Sequence, residues 1–403
     1  MVNSIILSYT RYPLFNVVSE DVLRMASCGL VVAGLAVPVG LVGLRSARRA
    51  GSSILPRYHV WRVPWTGFEV VVAFLVIASV VPAVVAHALD GSNFFRRVYP
   101  PESQVAATPG VRNFESVAAV AGVPITSALD RDSEALALRG LWIGVITLPL
   151  QIVLLGAARR LLFPPPVAPG VGRTFPGRVA LAVVAWLSIA PVVFLVHAVV
   201  ILAFGGLEWP SEEHPLAKLT ARLTLHEQAV FFFGAAVASP LVEEILFRGV
   251  LLGWLVGGKS LLDRGRTNRY RQRPPADRRV WPVLLIGVGM AVTTVVAKNG
   301  SGGLLPSFIR GPVVFAVVLL VGWAVLRTLV RKRRTLGAVY ASASLFAAAH
   351  SAVWPSPVPL FALGLGLGWL AVRTRGVLAP AIVHALFNAV SVLFVLRGGG
   401  GAP

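Results

Sequence analysis

The chain has 403 residues, of which 56% are hydrophobic and only 13% are charged, and its mean hydropathy is +0.76. Soluble domains carry about 25% charged residues, so this composition excludes a soluble enzyme and indicates a multi-pass membrane protein. The net charge of +20 does not indicate a nucleic-acid partner, because most Lys and Arg residues lie in short loops beside apolar runs, where they set membrane orientation. The single cysteine, Cys28, excludes a disulfide within the chain and a cysteine-based metal cluster.

Apolar runs separated by loops predict about ten transmembrane helices and therefore an all-α, polytopic membrane helix bundle. The predicted spans lie near residues 23–44, 66–89, 138–157, 179–205, 228–256, 281–297, 311–330, 336–353, 358–372 and 376–396. The alternating loops carry 24 Lys and Arg residues on one side of the membrane and 10 on the other. By the positive-inside rule, both termini should face away from the cytoplasm.

The predicted spans divide the chain into two membrane parts and a C-terminal tail. Residues 1–205 should form about four spans with a long external loop over residues 90–137, and residues 206–396 contain the polar residues described below. Residues 397–403 form a glycine-rich tail. The basic segment 264–279 should face the cytoplasm, and we expect the basic loops on that side to bind anionic lipid.

Two adjacent acids, Glu243 and Glu244, interrupt the apolar run of residues 229–255. An acid at the centre of a membrane helix costs about 2.5 to 3.5 kcal/mol on insertion scales, so such a residue is a functional-site hypothesis by default. In a regular α-helix, Glu244 and Arg248 lie on one face and can form an ion pair. Glu243 is rotated by about 100° from Glu244, which predicts a different role for it. Pro240 removes a backbone donor just before the pair and predicts a kink.

Further polar residues occur in the C-terminal spans. His350 follows Phe346 by four positions in a run of small residues, and His384 and Asn388 are four apart on another predicted helix. Positions four apart share a helix face. Counting 1.5 Å per residue from the cytoplasmic ends places Glu243 and these polar residues at similar depths. The pattern therefore predicts a shared site.

The predicted span between the two histidines contains Gly364 and Gly368 in GxxxG spacing, with Gly366 between them. Small residues at this spacing allow membrane helices to approach closely. We predict that these glycines serve the packing of the polar helices.

Three short motifs thus occur in order on predicted membrane helices. They are Glu243-Glu244-x-x-x-Arg248, Phe346-x-x-x-His350 and His384-x-x-x-Asn388. Together they resemble the CPBP family, the CAAX-prenyl-protease and bacteriocin-processing (Abi) intramembrane proteases, which are related to the type II CAAX endopeptidases. The resemblance covers roughly residues 206–396. About 100 residues separate the first two motifs, where compact family members have fewer.

The resemblance implies an intramembrane endopeptidase that hydrolyses a peptide bond of a membrane-associated or lipid-modified protein or peptide. Its expected location is the cytoplasmic membrane of a bacterium. By the same resemblance, Glu243 with His350 would activate a water molecule, and His384 with Asn388 would stabilise the oxyanion of the tetrahedral intermediate.

By the same resemblance, Glu244 and Arg248 would organise the helix that carries the first motif. The family has also been described as metalloproteases, and Glu243, His350 and His384 would be a credible zinc set with one position for water. The residue types suit both schemes. We expect no obligatory cofactor, with a divalent metal such as zinc as the alternative.

Two other functions stay open at this stage. Ten spans with buried Glu, Arg and His residues would suit a proton-coupled transporter, although the chain shows no inverted repeat and its polar residues cluster in the C-terminal half. A catalytically silent immunity or scaffold protein of the same fold is the other alternative, and the intact motifs weigh against it. The zinc-protease signature HExxH is absent, because His226-Glu227 is followed by Gln228-Ala229-Val230.

Overall fold

The computed structural model is helical throughout the residues that it describes, with no strand among them, which confirms the predicted all-α membrane fold. The described residues are 63, 65–92, 94, 128–162, 175–205, 224–257, 277–298, 307–329, 334–351 and 355–398. In chain order the α-helices are α1 Gly67–Leu75, α2 Val81–Gly91, α3 Ala128–Leu162, α4 Phe175–Gly205, α5 Leu225–Phe233, α6 Ser239–Glu244, α7 Leu252–Gly257, α8 Asp277–Lys298, α9 Ser307–Leu329, α10 Arg334–Ala348, α11 Pro357–Thr374 and α12 Leu378–Gly398.

Three π-helical segments join some of these helices without a loop. They are Val76–Val80 between α1 and α2, Gly234–Ala238 between α5 and α6, and Ile245–Leu251 between α6 and α7. Residues 225–257 therefore form one helix without a break, which we call the motif helix because it contains Glu243, Glu244 and Arg248. π-Helical turns occur frequently at functional sites.

Nine of the ten predicted spans coincide with helices of the described residues, and the tenth, near residues 23–44, lies outside them. Four helices are long and apolar enough to cross a membrane, and five shorter helices are also apolar. The four are Gly67–Gly91, Gly177–Val200, Leu225–Gly257 and Pro357–Thr374. The count of ten is therefore not confirmed. The predicted external loop 90–137 and the basic segment 264–279 lie largely outside the described residues, but α3 begins at Ala128, within that loop.

The described helices divide into two compact units. The larger unit contains α4, the motif helix from Phe247 onward, α8 to α11, and α12 as far as Phe387. The smaller unit contains α1 to α3, the motif helix as far as Leu246, and the end of α12 from Asn388. Both units combine helices from the predicted N-terminal and C-terminal parts, so the predicted division after residue 205 stays a prediction.

Helix α11 is central to the larger unit. Its buried residues Leu363, Leu367 and Leu370 pack in one cluster with small and branched residues of α4 and α12, including Ala190 and Val383. Because lipid tails are as apolar as leucine, membrane helices associate through such close van der Waals packing.

Two glycines bring α11 against α10. A Cβ at Gly364 would lie 3.1 Å from both the Cα and the Cβ of Ala343, and a Cβ at Gly368 would lie 2.9 Å from Cγ1 of Val339. A methyl group at either position would force the neighbouring atoms to shift. The predicted GxxxG packing is confirmed, whereas Gly366 makes its close contact with α4.

Helix α3 holds the smaller unit together. A Cβ at Gly234 of the motif helix would lie 2.7 Å from Cγ2 of Val145 on α3, and Phe231 is buried in the same region. An exposed ion pair between Arg139 and Asp90 connects α3 with the end of α2. The motif helix is thus fixed at its first π-helical segment.

A capping box starts the motif helix. The Thr224 hydroxyl oxygen accepts a hydrogen bond from the backbone N–H of Glu227, and Oε2 of Glu227 accepts from the backbone N–H and the hydroxyl of Thr224. These bonds satisfy donors that the first turn of a helix leaves without intrahelical partners. Glu227 therefore has a structural role at the helix start, in agreement with the absence of an HExxH motif.

We expect Gly364→Ala to lower the thermal unfolding midpoint of the detergent-solubilised protein. Overpacking typically costs about 1 to 3 kcal/mol, and here the new methyl group would press on the α10 backbone, which cannot rotate away. Gly289→Ala is the matched control, because no atom of the described residues lies within 4 Å of a Cβ built there. Equal midpoints for the two variants would contradict the close α10–α11 contact.

Candidate functional site

Phe346, near the end of α10, is fully buried and has three of the predicted site residues around its ring. Cζ of Arg248 lies 4.4 Å from the ring centroid. The centroid of the His350 ring lies 4.9 Å away, and that of His384 lies 5.5 Å away in a T-shaped arrangement. These separations favour aromatic contact, which prefers centroids about 4.5 to 7 Å apart. Phe346 thus organises the part of the candidate site that lies in the larger unit.

Arg248 has 0% of its surface exposed, although it carries a charge. Its guanidinium lies close to the Phe346 ring, and a cation within about 6 Å of a ring centroid is attracted by the ring quadrupole, more strongly when water is excluded. Nη2 of Arg248 also donates a hydrogen bond to the carbonyl of Gly364 at 3.4 Å. The arginine therefore links the motif helix with both α10 and α11.

Side chains from other segments support the π-helical segment that contains Arg248. Oγ of Ser342 donates to the carbonyl of Phe247 at 3.1 Å, and Nε1 of Trp65 donates to the carbonyl of Val250 at 2.9 Å. A π-helical turn pairs residues five apart rather than four, so its carbonyls depart from regular α-helical positions. The two external donors help to stabilise this local departure.

The two glutamates differ in burial. Glu244 is fully buried, like Arg248, whereas Glu243 is partly exposed. Both lie in α6, so the predicted rotation of about 100° between them applies. The step from Glu244 to Arg248 passes through the π-helical segment Ile245–Leu251, where each residue advances by a smaller angle. The regular helical phase assumed from the sequence does not hold over this step, and the predicted ion pair stays a prediction.

Glu243 accepts a hydrogen bond that the sequence analysis did not anticipate. The hydroxyl of Ser239 donates to Oε1 of Glu243 at 2.5 Å. Ser239 precedes Glu243 by four positions, so the two side chains are neighbours on the helix surface. This spacing was the signal that could have identified Ser239 from the sequence.

His350 lies in a turn just beyond α10, whereas the predicted span extended to residue 353. The backbone N–H groups of His350 and Ser351 bond to the carbonyls of Ala347 and Ala348, three residues earlier, which tightens and ends the helix. Nδ1 of His350 lies 2.8 Å from the carbonyl oxygen of Phe346. A carbonyl can only accept, so Nδ1 carries the hydrogen, and Nε2 of the neutral ring keeps its lone pair. The imidazole therefore caps α10 with a defined tautomer.

The predicted pair on α12 is divided between the two units. His384, only 2% exposed, contacts Phe346 in the larger unit. Asn388 lies in the smaller unit, where its Nδ2 donates to the carbonyl of Ala235 at 2.9 Å. An amide group has two N–H donors, so this bond uses one of them. Asn388 is thus attached to the π-helical segment that precedes the glutamates.

The suggested zinc set consists of Glu243 in the smaller unit and of His350 and His384 in the larger unit. Among the described residues, which include Glu243, His350 and His384, no three His, Cys, Asp or Glu side chains form a group that could hold a metal ion. A catalytic zinc site needs three protein ligands on one ion. The expectation that the protein needs no obligatory metal stays a prediction.

Residues 225–390 match the sequence model of the family described as type II CAAX prenyl endopeptidase Rce1-like. The CAAX-protease resemblance is confirmed. This Rce1-like region begins at the first residue of the motif helix and contains all three motifs. Together with its apolar helices, the match identifies an integral membrane protein. No curated protein and no solved structure matches the chain.

We expect Phe346→Ala to destabilise the protein strongly, because removing a buried phenylalanine costs about 3 to 5 kcal/mol. Phe346→Leu, which retains more of the buried volume, should cost less. Phe68→Ala is the control, since that side chain is 61% exposed. Thermal unfolding in detergent measures the difference, and similar midpoints for the two alanine variants would contradict a central role for Phe346.

Proposed function

We propose that this protein is an intramembrane endopeptidase that cleaves a prenylated protein, or another membrane-associated peptide, close to its lipid anchor. The match of residues 225–390 to the Rce1-like family, with all three motifs intact, carries this proposal. A prenyl group embeds its protein in the bilayer, so a protease whose polar side chains lie on membrane helices suits such a substrate. The proposed location is the cytoplasmic membrane of a bacterium, with the basic loops against anionic lipid.

Glu243 and His350 are the proposed water-activating residues. Peptide hydrolysis requires a nucleophilic water, and a carboxylate or an imidazole can remove its proton as the oxygen attacks. The hydrogen bond of Nδ1 to the Phe346 carbonyl supports this role for His350, because it directs the basic lone pair to Nε2. The same nitrogen, once protonated, can deliver a proton to the leaving amine.

His384 and Asn388 are the proposed donors to the oxyanion of the tetrahedral intermediate. Donors held in place before the reaction are effective because they need no reorganisation when charge develops. The burial of His384 against Phe346 supports such a fixed position. Asn388 has a second amide N–H besides the one that Ala235 accepts.

Glu244 and Arg248 have a proposed organising role within the motif helix. Both side chains are fully buried, and Arg248 contacts Phe346 and Gly364. A substitution of either residue should affect folding as well as activity, since it removes a buried charged side chain and leaves its partners behind.

The direct test is cleavage of a farnesylated CAAX peptide by the full-length protein in proteoliposomes, with release of the C-terminal tripeptide as the readout. We expect Glu243→Gln and His350→Ala to lower kcat roughly 100- to 10,000-fold, the usual range for loss of acid–base catalysis. His197→Ala, a change on α4, is the histidine control. Undiminished cleavage by both site variants would contradict the proposed mechanism.

If the wild-type protein leaves the farnesylated peptide intact, the CAAX form of the proposal is wrong. Membrane proteomes from cells that express wild-type protein or Glu243→Gln would then be compared for new protein termini. A cleaved membrane protein found only with the wild type would retain the endopeptidase proposal, and identical proteomes would contradict it.

Cleavage should persist after treatment with EDTA or 1,10-phenanthroline, because the proposed chemistry uses a carboxylate and imidazoles with no obligatory metal. The measurement is kcat before and after chelation and dialysis, with readdition of zinc. Loss of activity on chelation and recovery with zinc would establish the metal-dependent alternative.

A further inference from the structure

Ser239 differs from three other helical hydroxyl residues of the described part of the chain in its choice of acceptor. Ser188, Ser344 and Thr374 each donate to the carbonyl four residues earlier in their own helix. This is the usual arrangement for serine and threonine inside helices. Ser239 instead donates to the carboxylate of Glu243, four residues later.

The backbone next to Ser239 explains why a carbonyl in the motif helix needs an outside donor. The N–H of Ser239 bonds to the carbonyl of Gly234, five residues earlier, as π-helical geometry requires. In this register the carbonyl of Ala235 would accept from residue 240, which is a proline and has no N–H. A carbonyl without a donor is costly inside a membrane, and a side chain can supply one.

Asn388 supplies that donor. Its Nδ2 lies 2.9 Å from the carbonyl oxygen of Ala235, the acceptor that Ser239 would use in the ordinary helical arrangement. With this carbonyl occupied by an amide, the Ser239 hydroxyl has a strong alternative acceptor in the Glu243 carboxylate, since bonds to charged acceptors are stronger than bonds to neutral ones. Pro240 and Asn388 thus account for the direction of the Ser239 hydroxyl.

We propose that Ser239 is a positioning residue that orients the carboxylate of Glu243 for catalysis, an inference that rests on the function proposed above. A glutamate side chain has three rotatable bonds, and a hydroxyl attached at Oε1 selects one arrangement among the many that these bonds allow. The carboxylate is then held in one orientation before the substrate arrives. Precise placement of this kind is a large part of catalytic efficiency.

We expect Ser239→Ala to lower kcat for the farnesylated peptide roughly ten- to hundred-fold, the range given by loss of one hydrogen bond to a charged group. KM should stay unchanged, because Ser239 acts on Glu243 rather than on the substrate. Ser239→Thr retains a hydroxyl on the same carbon and should restore most of the activity. Ser188→Ala, which removes a hydroxyl that bonds only to its own helix carbonyl, should change kcat less than two-fold by the same reasoning.

Comparison with Glu243→Gln separates the two proposals. If Glu243→Gln is inactive while Ser239→Ala has wild-type kcat, the positioning role is wrong and the proposed function stands. If Glu243→Gln is fully active, the catalytic assignment itself is wrong. A fall in kcat for Ser239→Ala that Ser239→Thr does not reverse would also overturn the positioning role, since it would indicate a packing defect.

Chemical labelling provides a measurement that does not depend on cleavage. Dicyclohexylcarbodiimide reacts with carboxyl groups in membranes, and mass spectrometry can follow its addition at Glu243. Ser239→Ala removes the hydroxyl that is bonded to Oε1 of Glu243 and competes there with the reagent, so we expect faster labelling of Glu243 in Ser239→Ala than in the wild type, Ser239→Thr or Ser188→Ala. Equal labelling rates in all four proteins would overturn the inference whether or not the peptide is cleaved.

Discussion

A fully buried guanidinium is the constraint on which the larger unit depends. A charge removed from water is costly unless it is matched by close and well-placed partners. The partners of Arg248 include the face of Phe346 and the carbonyl of Gly364, which lie on two different helices. Gly364 must lack a side chain for α11 to approach both Ala343 and the arginine. The ring that receives the guanidinium also contacts His350 and His384, so the surroundings of the arginine and the positions of the two histidines are parts of one packing arrangement.

The smaller unit depends on a different constraint, a proline in a membrane helix. Pro240 cannot donate to the carbonyl of Ala235, and Asn388 makes this bond instead. The proposed oxyanion donor is therefore also a structural residue. Elsewhere in the motif helix, Ser342 and Trp65 donate to carbonyls of the π-helical segment Ile245–Leu251. Irregular membrane helices generally satisfy their backbone in this way, through side chains of neighbouring segments.

The sequence predicted the regular features well and the irregular ones poorly. Long apolar runs located nine helices, because burial of backbone polar groups in lipid leaves little alternative to a helix. The GxxxG spacing correctly indicated close packing, since it depends only on the absence of side chains. The end of α10 was wrong by several residues, because His350 caps that helix through its own side chain. The π-helical segment between Glu244 and Arg248 was not predicted, because it is stabilised by donors far away in the sequence.

By itself, the sequence determined the membrane-embedded helical class, the resemblance to the Rce1-like family and the residues that carry the three motifs, because hydropathy and motif spacing are local properties of the chain. Only the tertiary structure decided which partners these residues have. It placed Arg248, His350 and His384 around Phe346 and fixed the tautomer of His350. It also bonded Asn388 to the carbonyl of Ala235, to which Pro240 cannot donate. It also introduced Ser239 as the hydrogen-bond donor to Glu243. A hydrogen bond requires a particular distance and angle between two groups, and such geometry exists only after the helices have packed.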